Sequence, residues 1–127
     1  MRGMEYRKTS RQGDFLMKYI PEQGDIILLE FDPQAGHEQK GKRPACVISS
    51  NTFNKFTKLA IVCPITSNDR DFPLHVPLDD RTKTKGVIMC EQGKSLDIYA
   101  RQATFLEKIP SDIMHEVLDI YIGFFQT

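Results

Sequence analysis

The chain has 127 residues and a formal net charge of zero, with 17 basic against 17 acidic side chains, 40% apolar and 27% charged residues. This is enough for one domain with a core and too little for two ordinary ones, and the composition is that of a soluble globular protein. The charge balance excludes a histone-like coat for nucleic acid but not a local basic groove, and no apolar run is long enough to cross a bilayer.

Residues 1–19 read as an N-terminal extension. Met1-Arg2-Gly3-Met4-Glu5-Tyr6-Arg7-Lys8-Thr9-Ser10-Arg11 is basic and polar, lacks periodicity and lacks the apolar core of a signal peptide. It is expected to be flexible ahead of a domain spanning 20–127, and reads either as a mis-assigned start or expression remnant, with the domain opening at Met17, or as an arm that touches nucleic acid.

From Gly24 onward the pattern is mostly strand. Ile26 to Phe31, Ala45 to Ser50, Thr57 to Thr66, Phe72 to Leu78, Gly86 to Glu91 and Leu96 to Ala100 are the predicted strands. Pro64 marks an edge, bulge or bend in the third, and Pro73 and Pro77 make the fourth an edge. The connections leave no room for a crossover helix between every pair. That excludes a doubly wound sheet and predicts a mostly β fold, a small, strongly bent, antiparallel SH3-like barrel. A short helix is expected near Asn51 to Phe56, capped by Asn51 or Thr52. A C-terminal helix lying on the barrel is expected from Ile113, Val117, Tyr121 and Phe124 at helical spacing, with Ser111 as N-cap and Asp112 at the positive end; Gly123 weakens its last turn.

Cys46, Cys63 and Cys90 each lie inside an apolar run, are odd in number and share no metal-ligand spacing, so buried free thiols in a reducing cytoplasm are expected. His37, His75 and His115 are scattered, with no carboxylate at ligand spacing, and no metal or other cofactor is expected. His115 reads as a surface helix residue and His75 as a surface or sheet residue; His37, in a basic loop, is the one with a prospect of substrate contact. No nucleophile elbow, phosphate-binding glycine loop or dinucleotide fingerprint is present.

What remains is a set of polar residues at strand ends. Gly36-His37-Glu38-Gln39-Lys40-Gly41-Lys42-Arg43-Pro44 is a polar, glycine-bounded surface loop, and Arg43 stands immediately before Pro44, ahead of the second strand. Two readings stand for Arg43: a rigid fork of donors clamping an oxyanion or phosphate, or a solvated connector paired with a nearby acid. Thr66, Ser67 and Asn68 end the third strand, and Gln92, Lys94 and Ser95 occupy the junction of the fifth and sixth. Thr66 is equally readable as an ordinary β-branched strand end. In a small barrel these ends lie close together and line one groove, where arginine offers a fork to phosphate, threonine a short donor, and glutamine and asparagine base-edge hydrogen bonds. Together they suggest metal-free RNA cleavage, in which the substrate supplies its own 2′-hydroxyl and the protein aligns the phosphate and stabilises its charge. A guanidinium keeps its proton, so an arginine there suits charge stabilisation or donation to the leaving 5′-oxygen better than abstraction.

These segments, in this order, resemble the MazF/PemK family of toxin endoribonucleases. Gly24-Asp25-Ile26 with Phe31-Asp32-Pro33 is similar to the family's opening strand. Residues 36–44 followed by Ala45-Cys46-Val47-Ile48 resemble its Gly-x-Glu-Gln-x-Gly-x-Arg-Pro signature. Pro64-Ile65-Thr66 matches its third-strand threonine, and Glu91-Gln92-Gly93-Lys94-Ser95-Leu96-Asp97 its late Gln-x-(Arg or Lys)-(Ser or Thr) segment. The resemblance runs from about Pro21 to Phe124. It implies a compact barrel, usually a homodimer, that cuts single-stranded RNA at a short sequence without metal and leaves a 2′,3′-cyclic phosphate and a 5′-hydroxyl. It implies catalytic roles for Arg43 and Thr66 and substrate-facing positions for Glu38 and Gln92. The neighbouring His37, Gln39, Lys40, Lys42, Ser67, Asn68, Lys94 and Ser95 complete the expected RNA-binding set. It also implies a cognate antitoxin whose tail covers the groove, operator DNA bound only through the toxin–antitoxin complex, a cytoplasmic location and no membrane partner.

Gly93 departs from the family pattern, which often has Val or Ile there. Glycine either loosens the adjoining strand or lets nucleic acid approach closely, so base specificity does not carry over. The rivals are a non-catalytic binder or protein poison on the same fold, and an SH3-like peptide module. The related gyrase poisons use a C-terminal tryptophan, and this chain has none. The peptide modules need an aromatic-lined groove, whereas the aromatics here are dispersed.

Overall fold

The computed structural model describes residues 19–31, 41–68 and 71–126. Among them the order is β1 (Asp25–Glu30), β2 (Lys42–Val47), α1 (Asn51–Thr57), β3 (Leu59–Thr66), β4 (His75–Pro77), β5 (Val87–Met89), a 3-10 turn (Cys90–Gln92), β6 (Lys94–Asp97), β7 (Thr104–Lys108) and α2 (Ser111–Phe124). The sheet runs β4-β5-β3-β2-β1-β7, with β6 also on β3, and every pairing is antiparallel. It is mostly β with a C-terminal helix, as expected, and barrel-like in its curl rather than a closed ring.

The curl centres on β3. One edge of β3 pairs with β2. The other edge pairs with β6 over Leu59–Val62 and then with β5 over Ile65–Thr66. Pro64, which has no N–H to donate, lies in the break between the two partners, where it costs no ladder bond.

Alternation along β1 sends Ile26 to one face and Ile27 and Leu29 to the other, and both faces are buried. Ile26 joins Cys46, Cys63, Ile65, Ile88 and Cys90 in a cluster that α2 covers with Ile113, Met114 and Val117. Ile27 and Leu29 pack with Ala45, Val47, Ala60, Val62, Leu96 and Ile98. Each fully buried aliphatic side chain contributes roughly 1.5–3 kcal/mol, so the two-faced sheet is the main source of stability. The three cysteines are free and buried within it.

Several boundaries differ from the sequence reading. β2 begins at Lys42, so Arg43 lies inside the strand, opposite Leu29, rather than ahead of it. Thr57 closes α1, and Lys58 takes a left-handed conformation (φ 65°) that returns its N–H to Asn54. The cap of α1 is Ser50, whose Oγ accepts the Phe53 N–H at 3.2 Å, and not Asn51 or Thr52. Pro110 takes the cap position of α2, Ser111 is its first helical residue, and no side chain caps it. The predicted strand at Leu96 to Ala100 is displaced: β6 is Lys94–Asp97, and residues 98–102 turn. β7 has no counterpart in the prediction; Phe105 and Leu106 are both exposed, so it carries no apolar alternation. The N-terminal extension lies outside the described residues up to Tyr19, whose hydroxyl donates to Asp25 at 2.5 Å.

Candidate active site

The ends of β2 and β3 position the two residues expected to do chemistry. Their paired rungs are Ala45 with Pro64, Cys46 with Cys63 and Val47 with Val62. Continued two residues further on each strand, that register aligns Arg43 with Thr66, on one side of the sheet. Arg43 is exposed, and no carboxylate among the described residues pairs with it. Thr66 Oγ1 accepts the Asn68 N–H at 3.1 Å, which fixes the oxygen and leaves its own O–H free to donate. The strand end is tight: Gly86 has φ 122°, and a side chain there would run into the Thr66 carbonyl.

Thr66 also borders a pocket of about 430 Å³, lined by Thr66, Asn68, Phe72, His75, Met89, Glu91 and Gln92. β4 and β5 pair with His75 opposite Met89, and the 3-10 turn then swings Glu91 back towards His75. The His75 Nε2 to Glu91 Oε2 distance is 3.1 Å. The imidazole is nearly buried, at 7% side-chain exposure, and meets the Phe72 ring edge-on with centroids 5.1 Å apart. Its Nδ1 has no hydrogen-bond partner among the described residues.

Of the expected RNA-binding residues, Asn68 and Gln92 line this pocket, and Ser67 is exposed in the turn between Thr66 and Asn68. Lys94 and Ser95 are adjacent on β6, opposite Val62 and Ile61, and so project to opposite faces. Lys42 likewise faces away from Arg43, and its Nζ lies 3.4 Å from the Gln102 carbonyl oxygen. His37, Glu38, Gln39 and Lys40 lie outside the described residues.

His75, Glu91, Phe72 and Met89 were not anticipated. His75, read as a surface or sheet residue, is a sheet residue at the start of β4 whose nearly buried side chain also lines the pocket. Its partner lies 16 positions away and is brought near only by the β4–β5 pairing. The signal that points to it is a histidine opening a strand between two prolines, facing a second short strand that ends in an acid.

Behind the pocket the 3-10 turn is pinned by α2. The Tyr121 hydroxyl donates to the Cys90 carbonyl and lies 3.3 Å from Cys63 Sγ. Burial, then the contact with Cys63, pushes this phenol well above its ordinary range. A Cβ at Gly93 would overlap the Tyr121 hydroxyl. The Tyr121 side chain thus comes close to Gly93 in the space a Cβ would take. Burial also raises the thiols, Cys63 to about 11 and Cys90 to about 12, so both stay protonated and unreactive. Among the described residues, no three His, Cys, Asp or Glu side chains converge as a metal site.

Residues 22–121 match the family described as PemK-like, MazF-like toxin of type II toxin–antitoxin system. Endoribonuclease PemK of Escherichia coli is 42% identical over 119 residues, covering 91% of this chain and 85% of that protein. Endoribonuclease toxin MazF of Escherichia coli K12 is 38% identical over 87 residues, covering 68% of this chain and 78% of that protein. Crystalline MazF from Deinococcus radiodurans superposes with a TM-score of 0.71 at 40% identity, over 80% of this chain and 92% of that one. MazF in a MazE–MazF crystal from the same organism gives 0.71 and 40%, over 78% and 89%. With its signature segments in order and its fold shared, this chain belongs to the PemK-like, MazF-like toxin family of type II toxin–antitoxin systems.

Proposed function

We propose that this endoribonuclease toxin cuts single-stranded RNA at a short sequence, without metal, by using the substrate's own 2′-hydroxyl. The observation that carries the reading is the β2–β3 register, whose continuation past Ala45 and Pro64 puts Arg43 opposite Thr66, a residue that borders a polar pocket. As the O2′–P bond forms and the P–O5′ bond breaks, charge builds on the phosphoryl oxygens. The 2′-hydroxyl proton passes to water, Arg43 stabilises the charge and gives a proton to the leaving 5′-oxygen, which it regains from water, and Thr66 holds a phosphoryl oxygen. The products are a 2′,3′-cyclic phosphate and a 5′-hydroxyl. DNA has no 2′-hydroxyl and is not a substrate. Asn68, Gln92 and Ser67 contact the RNA beside the cut, and His37, Glu38, Gln39 and Lys40 of the signature segment are further RNA-contacting residues.

The same reading makes the protein a cytoplasmic homodimer held inactive by a cognate antitoxin that covers the groove. The solved MazE–MazF complexes of relatives support the pairing with an antitoxin. Operator DNA is bound only through the toxin–antitoxin complex.

The test incubates antitoxin-free protein with several long RNAs in EDTA, with a DNA copy and Arg43→Ala as controls, and maps the new ends. Discrete cuts bearing cyclic-phosphate and 5′-hydroxyl ends are expected, absent on DNA and reduced at least about a hundredfold in the variant. Folded protein that cuts none of the RNAs overturns the reading, as does cleavage unaffected by the variant.

A further inference from the structure

We propose that the pocket beside Thr66 is a nucleobase subsite that selects a base carrying an exocyclic amine over uracil, with Glu91 as the selecting group and His75 as the residue that positions it. The inference rests on the reading that the chain cuts RNA next to Thr66.

The lining chemistry is wrong for a phosphate and right for a base. Among the described residues no lysine or arginine lines the pocket, and the one formal charge of fixed sign there is the Glu91 carboxylate, which repels a phosphodiester. Phe72 is an exposed aromatic residue, at 43%, and offers a surface on which a base can stack. Asn68 and Gln92 supply amides, which pair with base edges. The backbone therefore passes on the Arg43 side of Thr66, and a base turns into the pocket.

Glu91 is not a free surface acid. His75 holds its Oε2 at 3.1 Å, and the imidazole is itself immobilised by burial and by Phe72. Nδ1 of His75 lacks a partner among the described residues, so the ring's one hydrogen bond in this region goes to Glu91. A carboxylate only accepts hydrogen bonds. Adenine N6, cytosine N4 and guanine N2 each offer it an amine. Uracil offers a single N–H between two carbonyl oxygens, which meet the carboxylate with repulsion. The amide N–H groups of Asn68 and Gln92 suit the acceptor beside the amine. A pocket that hydrogen-bonds a required donor rejects the analogue lacking it, because its own polar groups are left unpaired.

The test first maps the cut with wild-type protein, then compares oligoribonucleotides carrying each base at each position flanking it. One position should reject uracil by about tenfold or more in kcat/KM. With adenine there, replacing it by unsubstituted purine, which lacks only the amine, should give a similar loss. Glu91→Gln can donate as well as accept, and should bring the amine-to-uracil ratio towards one. His75→Ala should lower that ratio more than it lowers the rate on the best substrate, and His75→Gln, which keeps a donor, should restore it. Wild-type protein that cuts no RNA overturns the parent reading and this one with it. RNA cleavage that tolerates uracil and purine at every flanking position overturns the subsite alone. So does a folded Glu91→Gln protein with unchanged discrimination; if that variant does not fold, the purine substitution with wild-type protein decides.

Discussion

Gly93 illustrates how a single position couples the helix to the site. Without a Cβ it admits the Tyr121 hydroxyl, which bonds the Cys90 carbonyl and anchors the turn carrying Glu91 and Gln92. Gly93→Val should drive the phenol out and destabilise the protein by about 1–3 kcal/mol, the usual cost of overpacking. In a Tyr121→Leu background the same valine has room, so its cost should fall by at least about 1 kcal/mol. A double-mutant cycle from urea melts measures this, and additive costs would mean that the two residues do not meet. The segment around Gly93 was legible as family signature, but the reason for the glycine was not, because Tyr121 is 28 positions away and reaches it only once α2 has docked. The same holds for His75 and Glu91. Arg43 and Thr66 stood out in the sequence through the family signature, but Arg43 was placed ahead of β2 rather than inside it, and the β2–β3 register that puts the two opposite each other is one the sequence alone leaves open.

At the level of elements, β7 explains both what the pattern missed and how the pocket is supported. Thr104–Lys108 has exposed apolar residues and reads as loop, yet it pairs with β1 and carries Glu107. That carboxylate accepts the Lys83 N–H at 3.0 Å, and the Thr84 N–H and hydroxyl each at 2.7 Å. It thereby ties the segment leading into β5 to the far edge of the sheet. Burial pushes the Glu107 carboxyl upward, but the bonds from Thr84 and Lys83 outweigh it and hold the group below its ordinary range. A depressed carboxyl contributes stability that is fully present above the unfolded value of about 4.3 and is lost as pH falls through the folded one. Glu107→Gln, which turns a donor towards donors, should cost roughly 1–3 kcal/mol at pH 7. The gap to wild type should narrow as the pH drops below about 4. Urea melts across that range measure it; a gap independent of pH would mean that the ionised form is not what holds the loop.

For the whole molecule the deciding quantity is charge. A toxin acting on a polyanion would ordinarily gain from a positive field, yet this chain carries a formal net charge of zero. The described pocket adds an acid rather than a base, and Lys42 turns away from Arg43 to face the Gln102 carbonyl. On the proposed function, the described residues favour recognition by a few close contacts and base hydrogen bonds over a long basic track. Each phosphate neutralised on a single strand contributes about 0.7 to the slope of log affinity against log salt. Contacts from Arg43 and one or two lysines predict a slope of about −1 to −2 for kcat/KM under subsaturating RNA. Base-edge hydrogen bonds release no counterions, so the preference among cut sequences should stay nearly constant over the same salt range. Cleavage of two oligoribonucleotides differing only at the discriminating base, followed across a tenfold range of salt, measures both quantities. A slope of about −4 or steeper would require a basic surface spanning many nucleotides. Discrimination that collapsed with salt would place the selectivity in phosphate contacts instead of the pocket.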